Sequence, residues 1–287
     1  MINRRLKRST PEMIVHVLII TIFIIYSVTL LFPLFWAILS SLKDHNEYMT
    51  NPPFALPELW LIGNYLEAFN VLEVNEISLF GMIGNSLWYA AGSCLLNVFV
   101  CSMTAYIFAR YPFKGSKTIY AVMLIVMLMP IIGSGPATYR LYSKFGWIDS
   151  PLFLISMAGG IGINFLFLEG FYRNVSWNYA EAAFIDGANH WQVYFKIMFP
   201  QALSMVSILL IMQFIQYWND YSTPMLYFKS LPTLSLGLYM YEKKMIRNAD
   251  MPIYFAGLII SVIPVLIIFG IFQNSIMERV DTGGLKG

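Results

Sequence analysis

The chain is expected to be an all-α membrane protein with six transmembrane helices, and three observations lead there. Of its 287 residues, 58% are hydrophobic and 12% charged, with a mean hydropathy of +0.63, whereas a soluble domain carries about 25% charge. Six stretches free of Asp, Glu, Lys and Arg (13–42, 77–109, 118–139, 150–168, 197–219 and 251–277) each come close to or exceed the roughly 20 residues that a helix needs to cross a bilayer. Glycine and proline recur inside them at Gly92, Pro130, Gly133, Gly135, Gly159, Gly160, Gly162 and Pro264, residues that membrane helices tolerate and use for close packing.

The elements follow in order. Arg4, Arg5, Lys7 and Arg8 precede the first run. A secretory signal has an apolar core of only about 7–15 residues and a small-residue cleavage site, so residues 13–42 read as a retained first span. His16 reads as an interfacial histidine. Residues 43–76 form a polar outer connection with Asn51-Pro52-Pro53 and six acidic residues, and its prolines argue against another span. The division expected is an amino-terminal tail, first helix and outer loop (1–76), a five-helix core (77–277) that holds the polar segment 173–200, and a carboxy-terminal tail (278–287).

Six crossings put both ends on one side. With the amino terminus inside, the inner segments hold Arg4, Arg5, Lys7, Arg8, Arg110, Lys114, Lys117, Arg173, Lys196, Arg279 and Lys286, most of the 18 basic residues. That bias predicts both termini in the cytoplasm and places 173–200 on the same side.

Composition and motifs exclude several function classes. A net charge of +2 gives no footprint for a nucleic acid. Cys94 and Cys101 are seven residues apart on one helix, about 10 Å along its axis, too far to bond to each other. Gly115-Ser116-Lys117-Thr118 lacks the glycine spacing of a phosphate loop and reads as a basic turn. Three histidines and two cysteines show no zinc-ligand spacing, and no nucleophile elbow appears. No catalytic or metal-binding residue and no cofactor is therefore expected in the chain, which implies a separate energising subunit.

The most informative stretch is 181–200, a semi-polar island between apolar runs. Glu181, Ala182 and Ala183 open it, Asp186 closes a helical turn, and Gly187 can take the positive φ that ends one helix and starts another. Trp191, Tyr194 and Phe195 recur at helical spacing and give a second short helix an aromatic face. Pro200 fits the first turn of the next helix. Two short helices carrying small residues and exposed aromatics suit a groove on a partner; an amphipathic hairpin on the lipid surface is the other reading. Glu181 and Asp186 as a general acid–base pair is a third, weaker one.

Glu181-Ala182-Ala183, three residues, Gly187, nine residues and Ile197-Met198-Phe199-Pro200 together resemble the cytoplasmic EAA coupling loop of ABC-importer membrane subunits, with Phe199 where leucine is usual. Phe32-Pro33, Ser41-Leu42-Lys43, Asn51-Pro52-Pro53 and Asn64-Tyr65 extend the likeness to the maltose-type sugar permeases, and the outer loop 221–250, with Leu231-Pro232-Thr233-Leu234, is long enough to fold over a docked partner or to rest on the membrane surface. The resemblance implies the type I importer permease fold in the cell or inner membrane. It implies ATPase coupling through Glu181, Ala182, Ala183, Asp186, Gly187 and Pro200. Its partners would be a second, related permease, two copies of an ABC ATPase that bind ATP and Mg, and an extracytoplasmic solute-binding protein. Trp218-Asn219-Asp220 resembles the element closing the fifth span of sugar permeases and is a candidate for the translocation path, with an interfacial aromatic belt and a solvated carboxylate as the equal alternative. The tail resembles the glycine-rich ending of the second permease, which implies that Gly283, Gly284, Lys286 and Gly287 contact the ATPases. Rival readings are the same machine for a polyamine or glycerol phosphate, an intramembrane enzyme, and a passive channel.

Overall fold

The computed structural model describes residues 10–129, 133–248 and 250–283. Helix α1 (Thr10–Ser41) is apolar all round and exposed along nearly its whole length; only its last turn, Leu39, Ser40 and Ser41, is buried. The short α2 (His45–Thr50) and α3 (Gly63–Val71) brace that end. Asn64 Nδ2 donates to the carbonyls of Ser41 and Lys43 at 2.9 and 2.8 Å, and the Tyr65 hydroxyl lies 2.8 Å from Ser41 Oγ. Asn64 thus satisfies carbonyls at and just past the end of α1, and Tyr65 pairs with the Ser41 hydroxyl. A two-stranded antiparallel hairpin, β1 (Glu73–Val74) and β2 (Ile77–Ser78), turns over Asn75 and Glu76, both at positive φ.

Helix α4 (Leu79–Arg110) is the central pillar, packed against α8 (Ile163–Asn174) and α11 (Phe199–Trp218). Its buried residues include many small ones, Ala90, Ser93, Cys94, Cys101, Ser102 and Ala105 beside the larger Met82, Tyr89 and Tyr106, and the small ones let backbones approach closely where lipid supplies no hydrophobic drive between helices. Both cysteines are free and buried. One apolar cluster surrounds the Arg110 half of α4, with Phe165, Tyr172, Val193, Tyr194 and Met198. A second surrounds the other half, where α3, α13 (Leu234–Asn248) and α14 (Met251–Gly283) meet.

Four helices among the described residues are long and apolar enough to cross a bilayer alone: Pro11–Ser41, Leu79–Arg110, His190–Trp218 and Met251–Gln273. The third and fourth spans expected from hydropathy are not continuous helices. The third is α5 (Ser116–Leu128) and, beyond Gly133 with its φ of +85°, α6 (Gly135–Lys144). The fourth is a 3-10 turn (Pro151–Phe153) running into α7 (Leu154–Met157), an irregular stretch at 158–162, and then α8. Hydropathy counts apolar residues and is blind to this; the interruption falls where Gly159, Gly160 and Gly162 lower the cost of leaving the helix.

The break is held by side chains of α4. Asn97 Nδ2 donates to the carbonyls of Met157 (3.1 Å) and Gly159 (3.3 Å), the Cys101 thiol donates to Gly159 O (3.1 Å), and Asn164 Nδ2 donates back to Asn97 Oδ1 (2.9 Å). A Cβ at Gly160 would stand 2.8 Å from Thr104 Oγ1, so the irregular chain lies directly on α4.

The tail expected from residue 278 is helical further than hydropathy indicates, since α14 runs to Gly283; Gly284, Lys286 and Gly287 lie outside the described residues.

Replacing Asn97 by leucine removes two donors from carbonyls at membrane depth, where an unmade hydrogen bond costs about 1–3 kcal/mol. The N97L protein in detergent is expected to melt several degrees below the parent, with C101A, which removes one weak donor, falling in between. Equal melting temperatures for all three would show that the break is not held by these bonds.

Candidate coupling site

The island folds as a knob at the end of α4, built from three separate pieces of chain. After α8 the turn Val175–Trp177 is anchored by Arg110, whose Nη2 donates to Val175 O and whose guanidinium lies 5.5 Å from the Trp177 ring centroid. Helix α9 (Asn178–Ile185) follows, with only Ala180 fully buried. It closes in a Schellman motif: Ala188 N–H donates to Ala183 O (2.9 Å), Gly187 N–H donates to Phe184 O (3.1 Å), and Gly187 sits at φ +84°. Asn189 then caps α10 (His190–Val193) with a capping box, its Oδ1 accepting from Gln192 N at 2.9 Å while its N–H donates to Gln192 Oε1 at 2.8 Å.

The second short helix expected from the sequence is not a separate element. Residues 190–218 are one helical column, with a π-helical turn (Tyr194–Met198) between α10 and α11. Pro200 accounts for the turn: it has no N–H to give to Lys196 O, and Phe199 N–H instead reaches back five residues to Tyr194 O. Whatever moves α10 therefore moves α11.

The aromatic face differs in one member from the spacing argument. Trp191 and Phe195 are exposed (61% and 45%) and stack at 6.1 Å, whereas Tyr194 turns inward. Its hydroxyl donates to Ser102 Oγ (3.1 Å), which is 2.8 Å from the Tyr172 hydroxyl, a buried chain linking α4, α8 and the π turn. His190 is tied in through Nδ1, 2.8 Å from the Tyr111 hydroxyl. Sequence reading missed Arg110, Tyr111, Ser102, Tyr172 and Trp177. Arg110 and Trp177 carried a faint signal, as a cation and an indole at the ends of apolar runs, but nothing in their spacing pairs residues so far apart in the chain.

What the knob presents is a free surface. Glu181, Ala182, Asp186 and Gly187 are exposed, Ala183 is half-buried, and neither Glu181 nor Asp186 has an ion-pair partner among the described residues. Ile185, Trp191 and Tyr179 stand beside them, and Ile185 is 86% exposed. Unpaired carboxylates on small residues, rimmed by large apolar side chains, form a surface built to be covered. Pro200 is exposed but acts through the backbone.

The other candidate residues lie at the far end of α11. Trp218 is buried, stacked on Phe214 at 5.6 Å, and its Nε1 donates to Ser261 O at 3.0 Å. Asn219 is exposed, with Nδ2 donating to Ile215 O at 2.8 Å. Asp220 is a hub: Oδ2 accepts from the Tyr89 hydroxyl (3.0 Å), Oδ1 accepts from Ser222 N, Ser222 Oγ and Thr223 N, and its carbonyl accepts from Ser235 Oγ. Burial alone would push this carboxyl up; the hydrogen bonds from Thr223, Ser222 and Tyr89 outweigh it and hold the group below its ordinary value. It therefore stays charged and closes the start of α12 (Ser222–Tyr227) against α4. Of the tail positions, only Gly283 is described, as the last residue of α14.

Apolar helices of membrane-spanning length around a common pillar, with an exposed helical knob continuous with one of them, define a multi-pass membrane protein. The chain belongs to the family described as the binding-protein-dependent transport system inner membrane component, whose pattern matches residues 101–282 and so includes the knob. It is 28% identical over 271 residues to the diacetylchitobiose uptake system permease protein NgcG of Streptomyces coelicolor, covering 92% of this chain and 86% of the relative. It is likewise 28% identical over 286 residues to the arabinooligosaccharides transport system permease protein AraQ of Bacillus subtilis, covering 98% and 99%. Its fold matches a chain of a bacterial ABC transporter involved in the import of alginate with a TM-score of 0.78, at 18% identity, over 93% of this chain and 98% of that one.

At Gly187 a side chain meets open space but a forbidden backbone, and the left-handed region costs about 1–2 kcal/mol for an ordinary residue. Gly187→Val is expected to insert normally and to lower ATPase activity in the assembled transporter severalfold, while Gly187→Asn, which tolerates that region, keeps most of it. Equal activity for valine and asparagine would remove φ as the cause.

Proposed function

We propose that this chain is one of two related permease subunits of an ATP-driven carbohydrate importer, and that residues 178–193 receive the ATPase. The observation that carries the reading is the exposed α9–Gly187–α10 knob, with Glu181 and Asp186 unpaired, joined without a break to α11. The named relatives transport diacetylchitobiose and arabinooligosaccharides, and a further one, MdxG of Bacillus subtilis, maltodextrin, which supports a saccharide as the solute.

In this reading the chain crosses the membrane six times with both termini in the cytoplasm, the third and fourth crossings assembled from α5 with α6 and from α7 with α8. ATP and Mg are bound by two ATPase subunits, and a solute-binding protein delivers from outside. Closure of the ATPases pushes the knob. Because α10, the π turn and α11 form one column, a push at Trp191 displaces Trp218 at the other end of the membrane, and the permease pair rocks between inward- and outward-open states. The glycine-rich tail, from Gly283 through Gly284, Lys286 and Gly287, reaches the ATPases from the same side. The exposed face of α1 is covered by lipid or by the second permease.

A charge-assisted contact from Glu181 to a basic residue of the ATPase is worth about 1.5–3 kcal/mol. Glu181→Ala is therefore expected to weaken ATPase docking roughly tenfold to a hundredfold, to lower solute uptake, and to remove stimulation of ATP hydrolysis by the solute-loaded binding protein. These are measured in the reconstituted complex, with membrane level checked by immunoblot. Full uptake by the variant would sink the coupling role.

Orientation has its own test. In a background with Cys94 and Cys101 replaced, an impermeant thiol reagent added to intact cells should label Leu59→Cys and leave Asn189→Cys untouched. The reverse pattern would invert the topology.

A further inference from the structure

We propose that the cleft between the outer end of α11 and the helices α13 and α14 is a saccharide-binding subsite of this chain, an inference that rests on the carbohydrate reading above. The cleft has a volume of about 240 Å³, and its polar lining includes Asn219, Tyr221, Ser235, Tyr239, Glu242, Tyr254 and Ser261. Its floor is fixed by Trp218, whose indole N–H is spent on Ser261 O.

The aromatic walls are held in place before any ligand arrives. Tyr221 and Tyr239 stack at 4.2 Å and 15°, and the Lys243 ammonium lies 5.3 Å from the Tyr239 centroid. Tyr254 is similarly aligned on Tyr241, at 6.3 Å and 14°. With Tyr239 covered by Tyr221 on one face and by Lys243 on the other, the face left for the C–H side of a sugar ring is that of Tyr221, which is 41% exposed and backed by Tyr239, already ordered and so offered at little entropic cost.

Part of the polar lining is already spent, with Ser235 Oγ donating to Asp220 O (2.8 Å) and Ser261 Oγ to Leu258 O (2.7 Å), and the groups left over are an amide oxygen and two phenols. Asn219 uses Nδ2 on Ile215 O and leaves its amide oxygen free, and among the described residues the hydroxyls of Tyr221 and Tyr239 make no hydrogen bond within the chain. An amide oxygen and two phenols pair with sugar hydroxyls, which both donate and accept.

The charges select against the rival solutes. Glu242 is the one charged residue in the lining, and Lys243 stands beside it on the far side of Tyr239. A phosphate ester calls for a cationic fork, and a polyamine for several carboxylates; the cleft offers neither, and a neutral polyol fits it.

The test uses the assembled transporter in proteoliposomes with Cys94 and Cys101 replaced and a single Ser235→Cys in the cleft. Its rate of modification by an impermeant maleimide is measured alone and with maltotriose, arabinotriose, N,N′-diacetylchitobiose, spermidine or glycerol 3-phosphate. At least one saccharide is expected to slow the reaction about fivefold or more, with neither spermidine nor glycerol 3-phosphate doing so and with Leu59→Cys unaffected by any of them. Adding Tyr239→Ala should abolish the protection and Tyr239→Phe should keep most of it; if the alanine variant does not assemble, the protection of Ser235→Cys decides by itself. Equal rates with every saccharide would overturn the subsite. Uptake assays in the same vesicles, supplied with the binding protein, separate the two readings. Saccharide uptake without protection removes the subsite and leaves the importer, whereas uptake of spermidine or glycerol 3-phosphate in place of every saccharide removes both.

Discussion

In a bilayer the main chain has no water to turn to, and every carbonyl and amide at membrane depth must find its partner inside the protein. The structure depends on how this chain meets that demand at residues 158–162, where the helix is interrupted. Asn97, near the middle of α4, supplies two donors, Cys101 a third, and Asn164 secures Asn97 in return. The close approach of the irregular chain to α4, with Gly160 against Thr104 and Val100, is what allows those side chains to reach. Packing and polar satisfaction are here one constraint seen twice.

The same demand explains the knob end. Pro200 deletes one donor from the helical ladder, and the chain answers with a π turn in place of a break. The consequence is mechanical, since α10 and α11 remain a single column. Arg110 on Val175 O and Trp177, together with the Ser102–Tyr172–Tyr194 hydroxyl chain, seat the base of that column on the pillar. The knob is thus tied down at its base and bare on its far face.

At the opposite end the logic is repeated with charge. Asp220 gathers donors from α4, from the start of α12 and, through its carbonyl, from Ser235. A carboxylate so occupied ties α4, the start of α12 and the start of α13 together beside the cleft. The exposed knob and the cleft stand at the two ends of one column, α10 to α11.

Sequence alone determined what depends on residue type and on short spacing. Charge depletion and run length put the chain in a membrane, and Glu181 to Pro200 marked the knob, because a helix cap, a positive-φ glycine and a proline act over a few residues. Local reasoning failed where the partner was remote. Hydropathy read residues 118–139 and 150–168 as two plain spans, since it sums side chains and does not ask where the backbone's hydrogen bonds go. Tyr194 was placed on the exposed face because periodicity gives a direction but not the remote Ser102 and Tyr172 hydroxyls toward which it turns. Arg110 with Trp177, Tyr89 with Asp220 and Trp218 with Ser261 are separated by 67, 131 and 43 positions, and no spacing rule links them. Only the tertiary structure decides such pairs, because the energy of a buried polar contact is set by what the fold brings within 3 Å of it and not by what stands beside it in the chain.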